Sequence, residues 1–413
     1  MKKAKHWAVF ITNESRTTDF INEILDGKAT KYFDGLKGLQ GALFSKIALT
    51  KLIDEESRHG DSGLTLNRPQ SLQSMSSGEQ KKALLRHLLK SKPDYIILDN
   101  PFDNLDKQYQ TVLREELTNI AKDIILIQII SRKEDLLPFI TNFIELVGNS
   151  IMELPNLKSI TSVNHQKLTG DIPPPIKEVE YNQDNLISLK GINVSYNNRP
   201  ILNNITWKID RGQFWELSGE NGSGKTTILS MITGENPKGY GQELFLFGQK
   251  KGSGESIWDI KKNIGYFTPS MTDKFTGYHS LEHMMISGIL DSIGLYVLPT
   301  EAQLRLAKEW LQLIGMWHLK NTLFHDLTLG QKRLVMTTRA MIKHPLLLIL
   351  DEPTAGLDDE SAALLVSLVN KMANETQTTI IFVSHREEVG LKPQYKFVLK
   401  SSNEGSSGKV VIP

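Results

Sequence analysis

The chain has 413 residues, enough for two or three domains of ordinary size. Hydrophobic residues make up 39% and charged residues 23%, as in globular proteins, and the net charge of +1 gives no basic excess that would indicate nucleic acid binding. The absence of cysteine excludes disulfides and thiolate metal sites, and it fits a cytoplasmic location.

The apolar segments of the chain are too short to cross a membrane. The basic start MKKAKHWAVF is interrupted by Thr12, Asn13 and Glu14 before it reaches the length of a signal peptide. The apolar runs 124–130 and 346–350 have the length of buried strands, whereas a membrane span needs about 20 residues. We therefore expect no transmembrane segment, and any work at a membrane would be peripheral, at its inner face.

The order of motifs in the first half recurs in the second. HWAVFITNESRTTDFINEI at 6–24 aligns with FWELSGENGSGKTTILSMI at 214–232, and residues 75–106 align with residues 327–358. Each half alternates apolar strand patterns with helical patterns, which predicts an α/β fold with a mostly parallel sheet.

A proline-rich stretch separates the halves. Residues 155–185 contain three consecutive prolines, Pro173 to Pro175, which favour a stiff spacer. We predict domains at 1–154 and 186–413 with this linker between them. The second domain opens with two short alternating strands around a turn at 197–200, which the first lacks, and it closes with a predicted hairpin at 395–413.

A phosphate-binding loop stands in the second half, between the strand pattern 214–218 and a helix predicted from Thr227. The pattern G-x-x-x-x-G-K-[ST] is matched by Gly219, Glu220, Asn221, Gly222, Ser223, Gly224, Lys225 and Thr226. Glycines let backbone N–H groups turn toward phosphate oxygens, and the helix N-terminus adds its positive dipole end. We expect Lys225 to contact the β- and γ-phosphates and the Thr226 hydroxyl to bind Mg²⁺.

Other candidate residues follow strands of the same half. Asp351 and Glu352 end the run LLLILDEP; we expect Asp351 to hold Mg²⁺ and Glu352 to polarise the attacking water. His385 follows the strand TTIIFVS and is a candidate contact for the γ-phosphate, with a structural histidine as the alternative. Tyr196 is a candidate for stacking on adenine, with an ordinary surface tyrosine as the alternative.

These motifs resemble the ATP-binding cassette (ABC) superfamily. Its signature loop, commonly L-S-G-G-Q, is matched by MSSGE at 75–79 and LTLGQ at 327–331. The segments VSYNNRPILNNITW, GSGESIWDIKKNIGY and SGILDSIGLY are similar to the soluble tandem cassettes of the ModF type, associated with molybdenum transport or photorepair. The resemblance implies two fused P-loop ATPase domains, with helical signature subdomains and, in the second half, an antiparallel β subdomain.

Cassettes of this superfamily pair head to tail, so the resemblance implies composite sites. One site would combine the second-half loop, Asp351, Glu352 and His385 with a first-half signature made by Ser76, Ser77 and Gly78. The other would use residues 11–18, in which Arg16 and Thr17 replace the glycine and lysine. In that second site Asn100 and Arg132 stand where Glu352 and His385 stand, and Leu329 replaces a signature glycine, so we expect no hydrolysis there.

One further departure concerns the partner. Relatives carry a glutamine after the strand matching 262–267, where it contacts Mg²⁺ and couples the site to a permease; this chain has Pro269. We therefore keep three hypotheses: an ATPase that energises a permease for an oxyanion such as molybdate, a cytosolic switch acting on a ribosome, nucleic acid or enzyme, and a non-hydrolysing ATP sensor. The sequence predicts ATP and Mg²⁺ as ligands in each case.

Overall fold

The computed structural model describes residues 5–28, 32–59, 71–156, 168, 170–178, 181–275 and 277–412. The chain divides into two compact units. The first comprises Met1–Val163 with Gly356–Asp359, and the second comprises Asn164–Ala355 with Glu360–Pro413. Much of the predicted linker, at 157–167, 169 and 179–180, lies outside the described residues.

The first unit is built around a six-stranded sheet flanked by helices. Its elements in chain order are β1 Trp7–Ile11, α1 Thr17–Leu25, β2 Gly41–Phe44, α2 Lys46–His59, α3 Ser77–Lys90, β3 Tyr95–Asp99, α4 Lys107–Ile120, β4 Ile125–Ile130, β5 Asn142–Val147 and β6 Ser150–Leu154. The strand order is β2-β3-β4-β1-β5-β6, with parallel pairing except between β5 and β6. Because successive side chains of a strand point to opposite faces, the unit has a separate apolar cluster on each face of the sheet.

The second unit begins with an antiparallel sheet. Its strands are β7 Asn185–Tyr196, β8 Arg199–Asp210, β10 Leu244–Leu246 and β11 Gln249–Lys250, in the order β11-β10-β7-β8. The turn between β7 and β8 consists of Asn197 and Asn198, both in the left-handed region (φ 49° and 62°), as a tight hairpin requires. The predicted turn at 197–200 was too long, since Arg199 and Pro200 are paired in β8, and the strands are longer than predicted.

The second unit also contains a six-stranded sheet with helices. Its elements are β9 Phe214–Gly219, α5 Lys225–Ile232, α6 Ile257–Lys261, β12 Ile264–Phe267, α7 Pro269–Lys274, α8 Leu281–Ile289, α9 Glu301–Leu313, α10 Leu329–Met341, β13 Leu347–Asp351, α11 Asp359–Glu375, β14 Thr379–Val383, β15 Tyr395–Lys400 and β16 Ser407–Val411. The order β12-β13-β14-β9-β15-β16 is that of the first unit's sheet, strand for strand. The predicted C-terminal hairpin is confirmed by the antiparallel β15–β16 pair, and both apolar runs are strands as predicted.

The two sheets of the second unit share one core. Trp207 of β8 stacks on Phe397 of β15 with 4.3 Å between ring centroids, and both side chains are buried. Burial of such large apolar side chains is the main favourable term in folding. The antiparallel sheet is thereby fixed against the strands that carry the candidate site.

No helix within the described ranges combines the length and the apolar character needed to cross a bilayer.

Candidate ATP site of the second unit

The predicted phosphate loop connects β9 to α5, which begins at Lys225 rather than at the predicted Thr227. Gly224 caps the helix at φ 90°, a conformation that side chains disfavour. A Cβ atom there would also lie 2.6 Å from Leu202 Cδ2 of β8. Glycine is required at this position by both backbone geometry and space.

Lys225 folds back over the loop that precedes it. Its Nζ donates to the carbonyl oxygens of Gly219 at 2.7 Å and Glu220 at 3.0 Å, and the residue is buried. Ser223 is also buried, and among the described residues its Oγ has no hydrogen-bond partner. Gly222 and Gly224 have φ of 79° and 90°, and such glycine conformations let backbone N–H groups turn toward a phosphate.

The remaining predicted loop residues are accessible from solvent. Glu220, Gly222 and Thr226 are exposed, and Asn221 and Thr227 are half-buried. The Thr226 hydroxyl lies on the first turn of α5, where the free N–H groups of a helix favour an anion.

The predicted acidic pair stands at the carboxyl end of β13. Burial, with the neighbouring charge of Glu352, raises the pKa of Asp351 to about 6, although Lys225 and His385 act in the opposite direction. Glu352 adopts a left-handed backbone (φ 54°), and its N–H donates to Val383 O of β14 at 2.9 Å. The two carboxylates are thus held by the central strands of the sheet.

His385 contacts the predicted catalytic carboxylate directly. Its Nε2 lies 2.5 Å from Glu352 Oε1, and both side chains are mostly buried. The other ring nitrogen, Nδ1, is buried and has no hydrogen-bond partner among the described residues. The structure therefore brings together the two residues to which the sequence assigned the attacking water and the γ-phosphate.

A magnesium ion suits the donor set present here. Magnesium prefers oxygen ligands and usually takes only one or two from protein, with phosphates and water supplying the rest. Thr226 offers a hydroxyl and Asp351 a carboxylate, and no cluster of three or more metal-binding side chains occurs in the described part of the chain. The raised pKa of Asp351 marks a carboxylate that a nearby cation would help to ionise.

Tyr196 is the last residue of β7 and 41% of it is exposed. Its hydroxyl accepts a hydrogen bond from Asn236 Nδ2 at 2.8 Å. The ring is accessible enough to stack on a base, and the structure leaves that role a prediction. Asn236 belongs to no sequence motif, and its contact with Tyr196 joins residues 40 positions apart, so the sequence alone does not indicate it.

Tyr266 of β12 also lies within the electrostatic influence of Asp351. Burial and the charge of Asp351 raise the pKa of its phenol. Pro269, three residues later, starts the helix α7, so the position of the expected glutamine is helical instead of a loop.

The corresponding turn of the first unit is closed by hydrogen bonds within that unit. Ser15, the counterpart of Ser223, accepts a hydrogen bond from Thr12 N at 2.9 Å and donates to Leu146 O. Arg16, the counterpart of Gly224, has an ordinary φ of −84°. The Ser15 hydroxyl is thus hydrogen-bonded both to its own turn and to β5.

The two signature segments form matching helix starts. Ser76 caps α3, and its side chain and that of Glu79 each bond the other's backbone N–H, which is a capping box. Thr328 and Gln331 form the same box at α10. Ser77 and Leu329 are therefore the first residues of equivalent helices, and Gly78 is buried where a Cβ would lie 2.3 Å from the Tyr109 ring.

Comparisons with known proteins identify the class. The family model described as ABC transporter matches residues 202–355. The chain is 36% identical over 341 residues to the ABC transporter ATP-binding protein ModF of Escherichia coli (strain K12), covering 79% of this chain and 69% of that protein. It is 30% identical over 332 residues to an uncharacterized ABC transporter ATP-binding protein of Schizosaccharomyces pombe, covering 78% of this chain and 66% of that protein.

The chain belongs to the ABC ATP-binding proteins, and it is an ATPase that resembles ModF. Among solved structures, the archaeal ribosome recycling factor aABCE1, in complex with the ribosomal stalk protein aP1, matches 98% of this chain and 85% of its own. The TM-score is 0.63 and the identity 14%, a likeness of fold alone.

Proposed function

We propose that the chain is an ATP-driven clamp with a single competent site. The second unit would supply the loop from Gly219 to Thr227 with Asp351, Glu352 and His385, and the first unit would supply the signature Ser76, Ser77 and Gly78. The observation that carries this proposal is the contrast between two loops at equivalent places in equivalent sheets. The second-unit loop has Gly222 and Gly224 at φ 79° and 90°, whereas the first-unit turn has Arg16 at −84° and a Ser15 hydroxyl bonded to Thr12 N and Leu146 O.

The chemistry proposed for the site is hydrolysis of ATP by water. Glu352 orients the water and accepts its proton, while His385 holds the carboxylate and reaches toward the γ-phosphate. Lys225 places its charge on the phosphates. Thr226 and Asp351 would hold Mg²⁺, which when bound neutralises charge on the phosphates.

The first unit acts in this proposal through the start of α3. The free N–H groups of a helix N-terminus favour an anion, and the capping box fixes that end of the helix. Leu329 places an apolar side chain at the equivalent position of α10. We therefore assign the competent signature to the first unit, which serves as a partner and not as a second ATPase.

Matched substitutions at these two helix starts test the assignment. An aspartate at the first helical position is favourable for a helix, so Ser77→Asp and Leu329→Asp should both fold. Ser77→Asp would place a carboxylate against the γ-phosphate and should lower ATP turnover by roughly a hundredfold. Leu329→Asp should keep most of it; equal losses would contradict a single composite site.

We propose that ATP hydrolysis by this chain drives transport of an oxyanion through a membrane permease, with molybdate as the candidate oxyanion. The support is the similarity to ModF, whose name places it among ABC transporters. The chain would then lie at the cytoplasmic face of a membrane and contact the permease there. A cytosolic switch, acting on a ribosome, nucleic acid or enzyme, is the second candidate, favoured by Pro269 at the head of α7.

Trapping separates these two candidates. Tagged Glu352→Gln, held with ATP in the native host, should retain its partner, whereas Lys225→Ala should not. Recovery of an integral membrane permease with Glu352→Gln alone would support transport. Recovery of ribosomes, nucleic acid or a cytosolic enzyme would refute transport and support the switch.

A further inference from the structure

Asn236 connects the candidate base-stacking residue to the phosphate-loop helix. It is only 8% exposed, and its Nδ2 donates to the hydroxyl of Tyr196 at 2.8 Å and to Ser230 Oγ at 3.0 Å. Its Oδ1 accepts the backbone N–H of Lys238 at 3.0 Å. Both donors and the acceptor of the amide are used, so its orientation is fixed.

Ser230 makes this contact a firm attachment to α5. Its Oγ donates to Thr227 O at 3.0 Å, and its carbonyl accepts the backbone N–H of Asn236 at 3.0 Å. Asn236 is thus held to the helix through both main chain and side chain. The same helix begins with Lys225 and Thr226, which we assign to the phosphates and Mg²⁺.

Tyr196 needs such an attachment because of its place in the fold. It ends β7 at the open tip of a hairpin and is 41% exposed, and a ring in this position would otherwise sample several rotamers. Lys238 Nζ lies 5.6 Å from the ring centroid and adds a cation–π contact. The hydroxyl bond to Asn236 is the contact that ties the ring to a buried group.

We propose that Asn236 is a positioning residue that holds the Tyr196 ring for stacking on the nucleobase, so that one rigid element sets the geometry of both base and phosphates. This inference rests on the proposed function, in which Tyr196 stacks on adenine. A side chain already ordered before binding loses less entropy when the ligand arrives. Asn236 would therefore contribute to ATP affinity without touching ATP.

A double-mutant cycle tests this role. Asn236→Ala removes the amide, Tyr196→Phe removes only the hydroxyl, and each should weaken ATP binding roughly fivefold. The double variant should be no weaker than either single variant, because both remove the same bond. Binding of inorganic tripolyphosphate, which has no base, should stay unchanged in all three variants.

Asn185→Ala serves as the control for general damage to the sheet. Asn185 starts the same strand, and its Nδ2 donates to the carbonyls of Ile187 and Ile209. It should leave ATP affinity unchanged. If Asn236→Ala fails to fold, the test uses Tyr196→Phe, whose affinities for ATP and for tripolyphosphate are each compared with those of the wild type.

Each other outcome is decisive. Normal ATP affinity in Asn236→Ala, alongside weak binding by Tyr196→Ala, would overturn the positioning role and leave base stacking intact. Equal weakening of ATP and tripolyphosphate by Asn236→Ala would assign the residue to the phosphate loop and also overturn it. Normal ATP affinity in Tyr196→Ala would refute base stacking itself, and the inference with it.

Discussion

Asn100 and Glu352 occupy equivalent positions after the acidic strand, and both have left-handed backbones (φ 42° and 54°). Asparagine adopts this conformation readily, whereas for glutamate it costs about 1 kcal/mol. The side chain of Asn100 is used structurally, since its Oδ1 accepts from Ser131 N and Oγ at 3.1 Å. A strained glutamate in the second unit is consistent with a carboxylate kept for chemistry.

The role of Glu352 leads to a direct prediction. Glu352→Gln should retain ATP binding, because the side chain keeps its size, while turnover falls by roughly 10²- to 10⁴-fold without the base. Steady-state phosphate release and equilibrium ATP binding measure the two effects. Asn100→Asp is the matched control and should hydrolyse ATP normally; near-normal turnover by Glu352→Gln would remove it from the mechanism.

Residue roles were predictable where a motif fixes both residue type and position. Lys225, Asp351, Glu352 and His385 belong to such motifs, and their roles remain predictions that the geometry supports. Asn236 was not predictable, because an asparagine before a proline reads as an ordinary turn residue. Its proposed role depends on its hydrogen bond to the Tyr196 hydroxyl, 40 positions earlier, and only the fold brings these two residues together.

At the scale of elements, the proline-rich segment of the linker is attached to the second unit at α11 and just beyond α10. Ile172 N donates to Glu375 Oε2 of α11 at 2.9 Å. His344, just beyond α10, lies with its Nε2 2.7 Å from Pro173 O. Since a carbonyl only accepts, the ring nitrogen donates here.

This attachment predicts a pH dependence of stability. Burial lowers the pKa of His344 below 6.5, although the Pro173 carbonyl opposes the shift. The unfolded chain then binds the proton more readily, so this histidine's contribution is complete above 6.5 and is lost as the pH falls through the lower, folded-state value.

His344→Asn should make the melting temperature less sensitive to pH between about 7 and 5, because the titrating group is gone. Asparagine also tolerates the φ of 49° at this position. Thermal unfolding across that range measures the effect. A pH slope of the melting temperature in His344→Asn equal to that of the wild type would refute the assignment.

Elements were predictable in kind more than in extent. Apolar runs identified β4 and β13, and the P-loop pattern identified α5, but that helix begins two residues earlier because Lys225 already has helical geometry. The β7–β8 hairpin is longer than predicted because Pro200 lies in β8, a position that patterning alone reads as a turn.

At the scale of the whole molecule, two sheets with the same strand order carry loops with different chemistry. The second unit adds an antiparallel sheet, in which Leu202 occupies the space that a Cβ atom of Gly224 would need and Tyr196 is the residue proposed to stack on the base. In the described ranges of the first unit, the structure has no such sheet. The proposed phosphate loop and the proposed base-stacking tyrosine thus belong to the same unit.

The number of nucleotides bound per chain should therefore be one. Glu352→Gln at saturating ATP should bind a single ATP per chain, because the Ser15 turn offers no phosphate cradle, and Lys225→Ala should bind almost none. Equilibrium dialysis or calorimetry gives the stoichiometry. A second ATP bound by Glu352→Gln would show that the first-unit turn opens and would contradict a single site.

The repeat made the molecular plan predictable, because two motif sets in the same order imply two sheets of one topology. For the turn of the first unit, the sequence predicted that phosphate would not bind but not the hydrogen bonds that close the turn. The missing glycines argued against phosphate binding, but the hydrogen bond from Ser15 to Leu146 depends on strand pairing that a sequence does not display.

The hydrogen bonds of the Ser15 hydroxyl to Thr12 N and Leu146 O have a consequence for the enzyme's catalytic cycle. Because the serine of this turn is hydrogen-bonded without a ligand, we expect the turn to keep one conformation in the empty, ATP-bound and ADP-bound protein. The conformation of this turn would then not depend on the nucleotide, and only the loop of the second unit would respond to ATP. Amide hydrogen exchange around Ser15 should be the same in all three states, while exchange around Ser223 slows when ATP binds.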